Sequence, residues 1–392
     1  MSKLIERLRD FRVGNNEKIL TELIEFIKIP NNVFKPKQIQ ENAAVLKKMM
    51  ERRGIATELW TTPQGRPLVY GELTSSRANK TVLIYGHYDG VPAEEPEWHS
   101  SPYDPVLRKD ITAVDRAFTL EEALPIMDDS WRLFGRSSAD SKNAIISILT
   151  ALDFLASQGK EPSINLKFLF DGEEEVESPG LAECIKRNRE KLACNLVISA
   201  SGETHQSGLP TVELGVRGML MFDIKVHTMA SDLHSGHFGN FAPNAILQLA
   251  QLLNMLKGKD GFVSIPGFYE DVISLSELEL EAIEKIPAIE DEISRKYGIK
   301  ASEIQGNSLQ HLINLPTFNI RGIEGGFTGA SARNIIPASA NAEVDIRLVK
   351  GMQPEQIFIK IKKYIQEMNW MVTEKEPSKE ELLNYGGLCN ST

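Results

Sequence analysis

Two apolar runs, Thr81–Tyr85 (TVLIY) and Asn165–Phe170 (NLKFLF), constrain this chain most. Each is short, and neither shows the strict apolar–polar alternation of a half-wet strand. Both read as strands covered on two faces. Between and around them the apolar residues recur at helical spacing: Lys18–Ile29, stopped by Pro30; Gln38–Arg53, ended by Gly54; and Asn143–Gln158, ended by Gly159. Further strands are predicted over 56–61, 67–73 and 196–199, with a helix near 181–192. Helices alternating with buried strands specify an α/β fold, a mixed central sheet with helices on both faces. Residues 91–130, polar and carrying several prolines and acids, read as a long surface excursion.

The pattern changes after Gly218. A strand over 219–227, a helix over 244–256, strands over 317–321 and 340–349, a helix over 354–367 and a strand over 370–374 follow in order. With a mostly helical insertion at about 258–316 set aside, this is the β-α-β-β-α-β order of a ferredoxin-like α+β unit. The reading is therefore an α/β domain over 1–213, an inserted lid over 214–378 and a tail over 379–392. A length of 392 residues supports more than one core, since single cores stop growing near roughly 250–300 residues.

Composition excludes some partners. A net charge of −10 argues against nucleic acid, which demands clustered Lys and Arg. No apolar run approaches the roughly 18 residues of a spanning helix, so no membrane partner is expected. Residues 1–15 mix charged and apolar residues without the apolar core of a signal peptide. Cys184, Cys194 and Cys389 form no ligand pattern and are too few for a disulfide framework, which points to a cytoplasmic chain.

The chemistry-bearing residues cluster after the apolar strands, where α/β sheets place their sites. In TVLIYGHYDG, His87 and Asp89 stand two apart, so an extended backbone puts them on one face and lets Asp89 orient the imidazole. An isolated H-x-D is more often a polar strand end. Asp140, in GRSSADSKN, lies just before a helix start and either caps it or bridges cations. Glu173, Glu174 and Glu175 in FLFDGEEEVES are, alone, a solvated turn; closely behind a buried strand they are out of place as one. Two like charges about 4 Å apart repel by roughly 4 kcal/mol at an effective dielectric near 20, and divalent cations would reverse that sign. Mixed imidazole and carboxylate ligands suit zinc, manganese or cobalt better than calcium.

At this point the chain resembles the co-catalytic zinc peptidases, a family that includes carnosinase-type dipeptidases, glutamate carboxypeptidase, acetylornithine deacetylase and aminoacylase; it is most similar to the dipeptidase branch. The resemblance rests on an ordered series: GHYDGVP at 86–92, GRSSADSK at 135–142, DGEEE at 171–175, GVRG at 215–218, DLHSGHFG at 232–239, PGFYEDV at 266–272, ARNIIP at 332–337 and DIRLV at 345–349. It implies two divalent metal ions, zinc foremost. His87 would bind one ion with Asp89 behind it, Asp140 would bridge both, and Glu175 would bind the other. Glu174 would be the general base on the activated water. His234 would reach across a homodimer, formed through the lid, to stabilise an oxyanion; alone it reads as a surface-loop histidine. Arg347 and Asn334 would hold the substrate, Arg347 through its carboxylate; unaided, Arg347 reads as solvent-facing. The implied reaction is hydrolysis of dipeptides or similar small amides with a free carboxylate, with N-acyl amino acid deacylation as an alternative.

Two departures qualify that expectation. Where the dipeptidase branch carries an aspartate ligand, counting back from GVRG gives Ser201, a poor zinc ligand; Glu203 is the stand-in, with His205 behind it. The family also continues past the lid with further strands, a glycine-rich loop and a last metal-binding histidine, whereas no histidine follows His311 here. The expectation is a truncated or degraded member with an exposed hydrophobic sheet edge, which makes a non-catalytic dimerising protein the competing reading.

Overall fold

The computed structural model describes every residue except 1, 94, 111–115, 201, 203, 204, 206, 210, 385–387 and 391–392; of residues 2, 95 and 388–390 it describes the backbone. The chain forms two compact units, Met1–Glu203 and Thr204–Thr392.

The first unit runs α1 (Ser2–Gly14), α2 (Asn16–Ile27), α3 (Pro36–Glu51), β1 (Ala56–Trp60), β2 (Leu68–Leu73), β3 (Thr81–His87), β4 (Val106–Arg108), α4 (Leu120–Ala123), β5 (Arg132–Phe134), α5 (Lys142–Ser157), β6 (Asn165–Asp171), α6 (Leu181–Arg187) and β7 (Leu196–Ser199). Its main sheet has the order β1-β2-β6-β3-β7. β1, β2 and β6 pair antiparallel, while β6, β3 and β7 run parallel, which makes the sheet mixed as its sequence predicts. α2, α3 and α5 cover one face through Phe26, Leu46, Leu149, Phe168 and Phe170, all buried. The other face packs Trp60, Tyr70, Leu83 and Leu169 against Cys184 and Leu192. Truncating a fully buried Leu46 or Leu149 to alanine would cost about 2–5 kcal/mol.

β7 is the edge of this sheet, and Leu196, Val197 and Ile198 stand 54%, 56% and 46% exposed. Among the described residues no strand pairs with the outer side of β7, and its apolar side chains are wet.

Residues 91–130 are more than the surface excursion their composition suggests. β4 pairs with β5, and Leu107, Phe118 and Ala123 form a small core of their own beneath α4, whose start is sealed by a Thr119–Glu122 capping box. Three apolar side chains spread among prolines and acids leave no periodic signal, which is why the sequence conceals this core.

The second unit runs β8 (Gly218–His227), β9 (Leu233–His234), α7 (Ser235–Phe238), α8 (Ala245–Leu256), α9 (Glu277–Glu284), α10 (Glu290–Tyr297), α11 (Leu309–Leu312), β10 (Asn319–Gly325), β11 (Ile335–Ile336), β12 (Ser339–Leu348), α12 (Pro354–Glu367), β13 (Met371–Thr373), α13 (Lys379–Asn384) and β14 (Leu388–Asn390). Its sheet order is β10-β12-β8-β14-β13. α8 and α12 bury Leu249, Leu252, Ile357 and Ile361 on one face against Ile224, Val344 and Ile346. The opposite face carries Met219 and Met221, both exposed, opposite Arg347 and Asp345 of β12. α9, α10 and α11 fill the expected helical insertion. The order departs from the ferredoxin-like plan at one place: β14, from the segment read as a tail, pairs antiparallel with β8 and parallel with β13, separating them. A three-residue strand lies below the length at which periodicity can be read. Among the described residues no helix is long and apolar enough to cross a membrane.

Candidate metal centre

Convergence starts in the register of the parallel strands. β3 and β6 pair so that His87 faces Asp171, the last residue of each strand. Neighbouring strands lie about 4.8 Å apart, so the loops after them, 88–90 and 172–175, leave the same rim side by side. Tyr88 N–H donates to Asp171 O at 2.9 Å and joins the two exits.

α5 brings the third element. Ser141 Oγ donates to the His87 carbonyl at 2.9 Å. The Lys142 ammonium, fully buried, donates to the Phe26 and Ile29 carbonyls at 2.7 and 3.0 Å and lies 4.5 Å from the Phe26 ring. It thereby satisfies carbonyls at and just beyond the end of α2, and burial pushes its pKa well below the ordinary lysine value. With the two residues after it pinned in this way, Asp140 projects from the helix start; the Asp140–Ser141 peptide is cis. Asp140 Oδ1 lies 2.8 Å from His87 Nε2, with the aspartate side chain 70% exposed and the imidazole 2%.

One donor atom from each of His87, Asp140 and Glu175 lies within 4.8 Å of the others. Zinc–nitrogen and zinc–oxygen bonds run about 2.0–2.2 Å, so ligands of one ion stand no more than about 4.4 Å apart, close to the spread of these three residues. Behind the imidazole, Asp89 is wholly buried; its Oδ1 stands 3.3 Å from His87 Nδ1, without the alignment of a hydrogen bond, and its Oδ2 accepts the Glu175 N–H at 3.1 Å. Asp89 therefore touches both the histidine and the backbone of the acidic turn.

The acid triplet divides by role. Glu173 is buried: Oε1 accepts the Gly180 N–H at 2.5 Å, and Oε2 accepts from Thr62 Oγ1 at 3.3 Å and lies 3.5 Å from an Arg66 Nη. A Cβ on Gly180 would fall 2.5 Å from Glu173 Oε1, so glycine is needed for that approach. Glu174 and Glu175 sit in a 3₁₀ turn closed by Glu177 and Ser178, both at positive φ (64° and 49°), which is how adjacent glutamates come to share a rim. Asp171 braces the turn, accepting from Glu173 N at 3.0 Å, Ser178 Oγ at 2.7 Å and Tyr85 Oη at 3.1 Å.

Electrostatics mark this rim as wanting positive charge. Burial pulls the His87 pKa down, but the contact with Asp89 and the charges of Asp89, Glu174 and Asp140 overcome it and raise it to about 9. Burial, then Asp89 and Asp140, hold Glu174 above the usual carboxylate value against the opposing His87; burial and Asp140 do the same for Glu175. Asp171 and Glu173 are raised as well, chiefly by burial. An imidazole beside several carboxylates is the donor chemistry of zinc, manganese or cobalt, and these residues fit a divalent ion.

In the second unit, β9 pairs with β11, setting His234 opposite Ile335, and Ser235 N–H donates to Asn334 O at 3.0 Å; two of the sequence-selected residues are thus neighbours. Arg347 lies on β12, exposed, with Nε 3.8 Å from Asp345 Oδ1. Arg217, a motif residue to which the sequence reading gave no role, is lowered by desolvation and then by the charge of Arg347. Ser201 and Glu203, the two candidates for the missing aspartate ligand, lie outside the described residues. Residues that sequence reasoning missed are Asp171 and Ser178, in and beside the acidic motif, Tyr85, just before GHYDG, and Arg66, which stands near none of the motifs and gave no signal.

A rim at the carboxyl ends of parallel strands whose residues fit a divalent ion, on a mixed sheet followed by a second α+β unit, is the arrangement of a metallopeptidase-type scaffold. Residues 214–369 match the peptidase dimerisation domain of the M20 family. The M20 family metallo-carboxypeptidase Sso-CP2 from Sulfolobus solfataricus is 31% identical with a TM-score of 0.66, over 89% of this chain and 75% of that one. The Cys-Gly metallodipeptidase dug1 of Schizosaccharomyces pombe is 30% identical over 304 residues, 76% of this chain and 60% of that protein. The human Beta-Ala-His dipeptidase is 25% identical over 307 residues, 77% of this chain and 56% of that protein. The chain belongs to the M20 family of peptidases. It spans about three-fifths of the length of the curated relatives it matches.

Proposed function

We propose that this chain hydrolyses dipeptides or similar small amides with a free carboxylate, as a cytoplasmic homodimer joined through the second unit. The observation that carries this reading is the convergence of His87, Asp140 and Glu175, with Glu174 coupled to the same cluster. In it, His87, Asp140 and Glu175 would hold two divalent ions, zinc foremost, with Glu203 completing the set. Bound there, such ions would lower the pKa of water toward neutrality and polarise the scissile carbonyl. Asp89 orients His87 from behind. Glu174 accepts the proton of the attacking water and returns it to the leaving amine, a task for which a carboxyl with a raised pKa is suited. His234, from the second copy, donates to the developing oxyanion, and Arg347 with Asn334 holds the substrate, its carboxylate on the forked donors of Arg347.

The relatives support the substrate class: two of those compared are named as dipeptidases. Incubating the chain with a dipeptide panel and added zinc, manganese or cobalt tests the proposal. Turnover that falls about 10³-fold in Glu174→Gln, with metal content unchanged, is the expected result. Folded, metal-loaded protein without turnover would establish a non-catalytic family member instead.

A further inference from the structure

His234 stands immediately before the short helix α7 with an extended backbone (φ −69°, ψ 122°), and its ring turns back over that helix. Nδ1 accepts the Gly236 N–H at 3.1 Å. A neutral imidazole has one donor and one acceptor nitrogen, so a backbone N–H aimed at Nδ1 requires the lone pair there and the proton on Nε2. Nε2 has no hydrogen-bond partner among the described residues. The backbone beneath is fixed: Leu233 and His234 pair with Ile336 and Ile335, Ser235 N–H donates to Asn334 O, and Asp232 Oδ1 accepts Ala338 N–H at 2.9 Å. The His237 ring lies 4.8 Å away at 45°. A Cβ at 236 would come within 3.0 Å of His234 Cε1 and 3.2 Å of Nδ1, closer than ordinary contact, so the ring would have to shift by a few tenths of an ångström.

We propose that Gly236 is a positioning residue: its N–H locks neutral His234 in the Nε2-protonated tautomer, and its missing side chain leaves room for the ring to stay on that N–H. The role rests on the reading of His234 as an oxyanion donor, since only the Nε2–H form presents a hydrogen from a ring tethered at Nδ1.

The test is ¹⁵N NMR of the full chain with labelled histidine, using His234→Gln to assign the signal. The expected result is a single neutral tautomer for His234, protonated at Nε2 and lone-paired at Nδ1. A ring protonated at Nδ1, or averaging between tautomers, would overturn the proposal whatever the activity. In Gly236→Ala the tautomer should become mixed, and kcat for dipeptide hydrolysis should fall roughly tenfold with KM little changed, because misplacing a donor by a fraction of an ångström acts on the transition state. If wild type turns over dipeptides and Gly236→Ala matches it in kcat and tautomer, the positioning role fails while the dipeptidase reading stands. Should the Nε2–H tautomer be found in a chain without turnover, the dipeptidase reading fails and the ring assignment stands.

Discussion

The candidate residues of the two units are held in opposite ways. In the first, His87 and Asp89 are buried at a strand end and the turn beside them is tied by Asp171 and Glu173, both buried. In the second, His234, Asn334 and Arg347 are exposed, and His234 and Asn334 are held mainly by backbone hydrogen bonds. The contrast is physical. Carboxylates gathered in low dielectric repel one another and need a rigid frame and a cation to be stable. A group that must meet a substrate or another copy needs an exposed tip on a fixed backbone, and gains nothing from burial.

That contrast can be broken by substitution, beginning with the largest effect. His87→Ala should abolish tight binding of zinc, manganese or cobalt, whereas His234→Ala should leave metal content unchanged and lower kcat about 10²–10³-fold; metal analysis beside kinetics reads both. Equal metal loss in the two variants would end the division of labour. Asp89→Asn should weaken metal affinity about 10–100-fold by removing the charge behind the imidazole, as competition with a chelator would measure.

A smaller effect follows from linkage. In the metal-free chain the His87 pKa is raised to about 9 from 6.5, so its contribution to stability is complete below about pH 6.5 and is lost as pH rises through 9. Glu174 and Glu175, also raised, act in the same direction at lower pH, their contribution fading as pH climbs through their elevated values. The Tm of chelator-treated protein should therefore fall from pH 6.5 to 9, and the gain in Tm on adding metal should widen, because binding requires neutral His87. A flat metal-free profile would show that the imidazole does not feel its acidic neighbours.

Much of the first unit was legible because its signals are local. TVLIY and NLKFLF announced buried strands, and the polar residues after them fell where parallel strands end. The sequence could not say that β3 and β6 pair with His87 opposite Asp171, since register between distant strands is a tertiary property. Nor could it separate Glu173 from its neighbours: three identical side chains in a row differ here only through the positive-φ turn that turns one inward to Gly180. The core within 91–130 and the strand β14 were missed because each rests on three residues or so, too few for a period. Gly236 was visible only as part of a motif; its use depends on where the His234 ring folds back.

The central claim is that one imidazole and the acids around it hold divalent ions at the rim of the first sheet. The most direct measurement is elemental analysis of the chain dialysed against zinc, compared with the His87→Ala, Asp140→Ala and Glu175→Ala variants, with folding checked by circular dichroism. The account predicts zinc bound at two equivalents per chain in the wild type and lost or reduced in each folded variant. Wild-type stoichiometry retained in all three variants, or no zinc bound by folded wild-type protein, would contradict it.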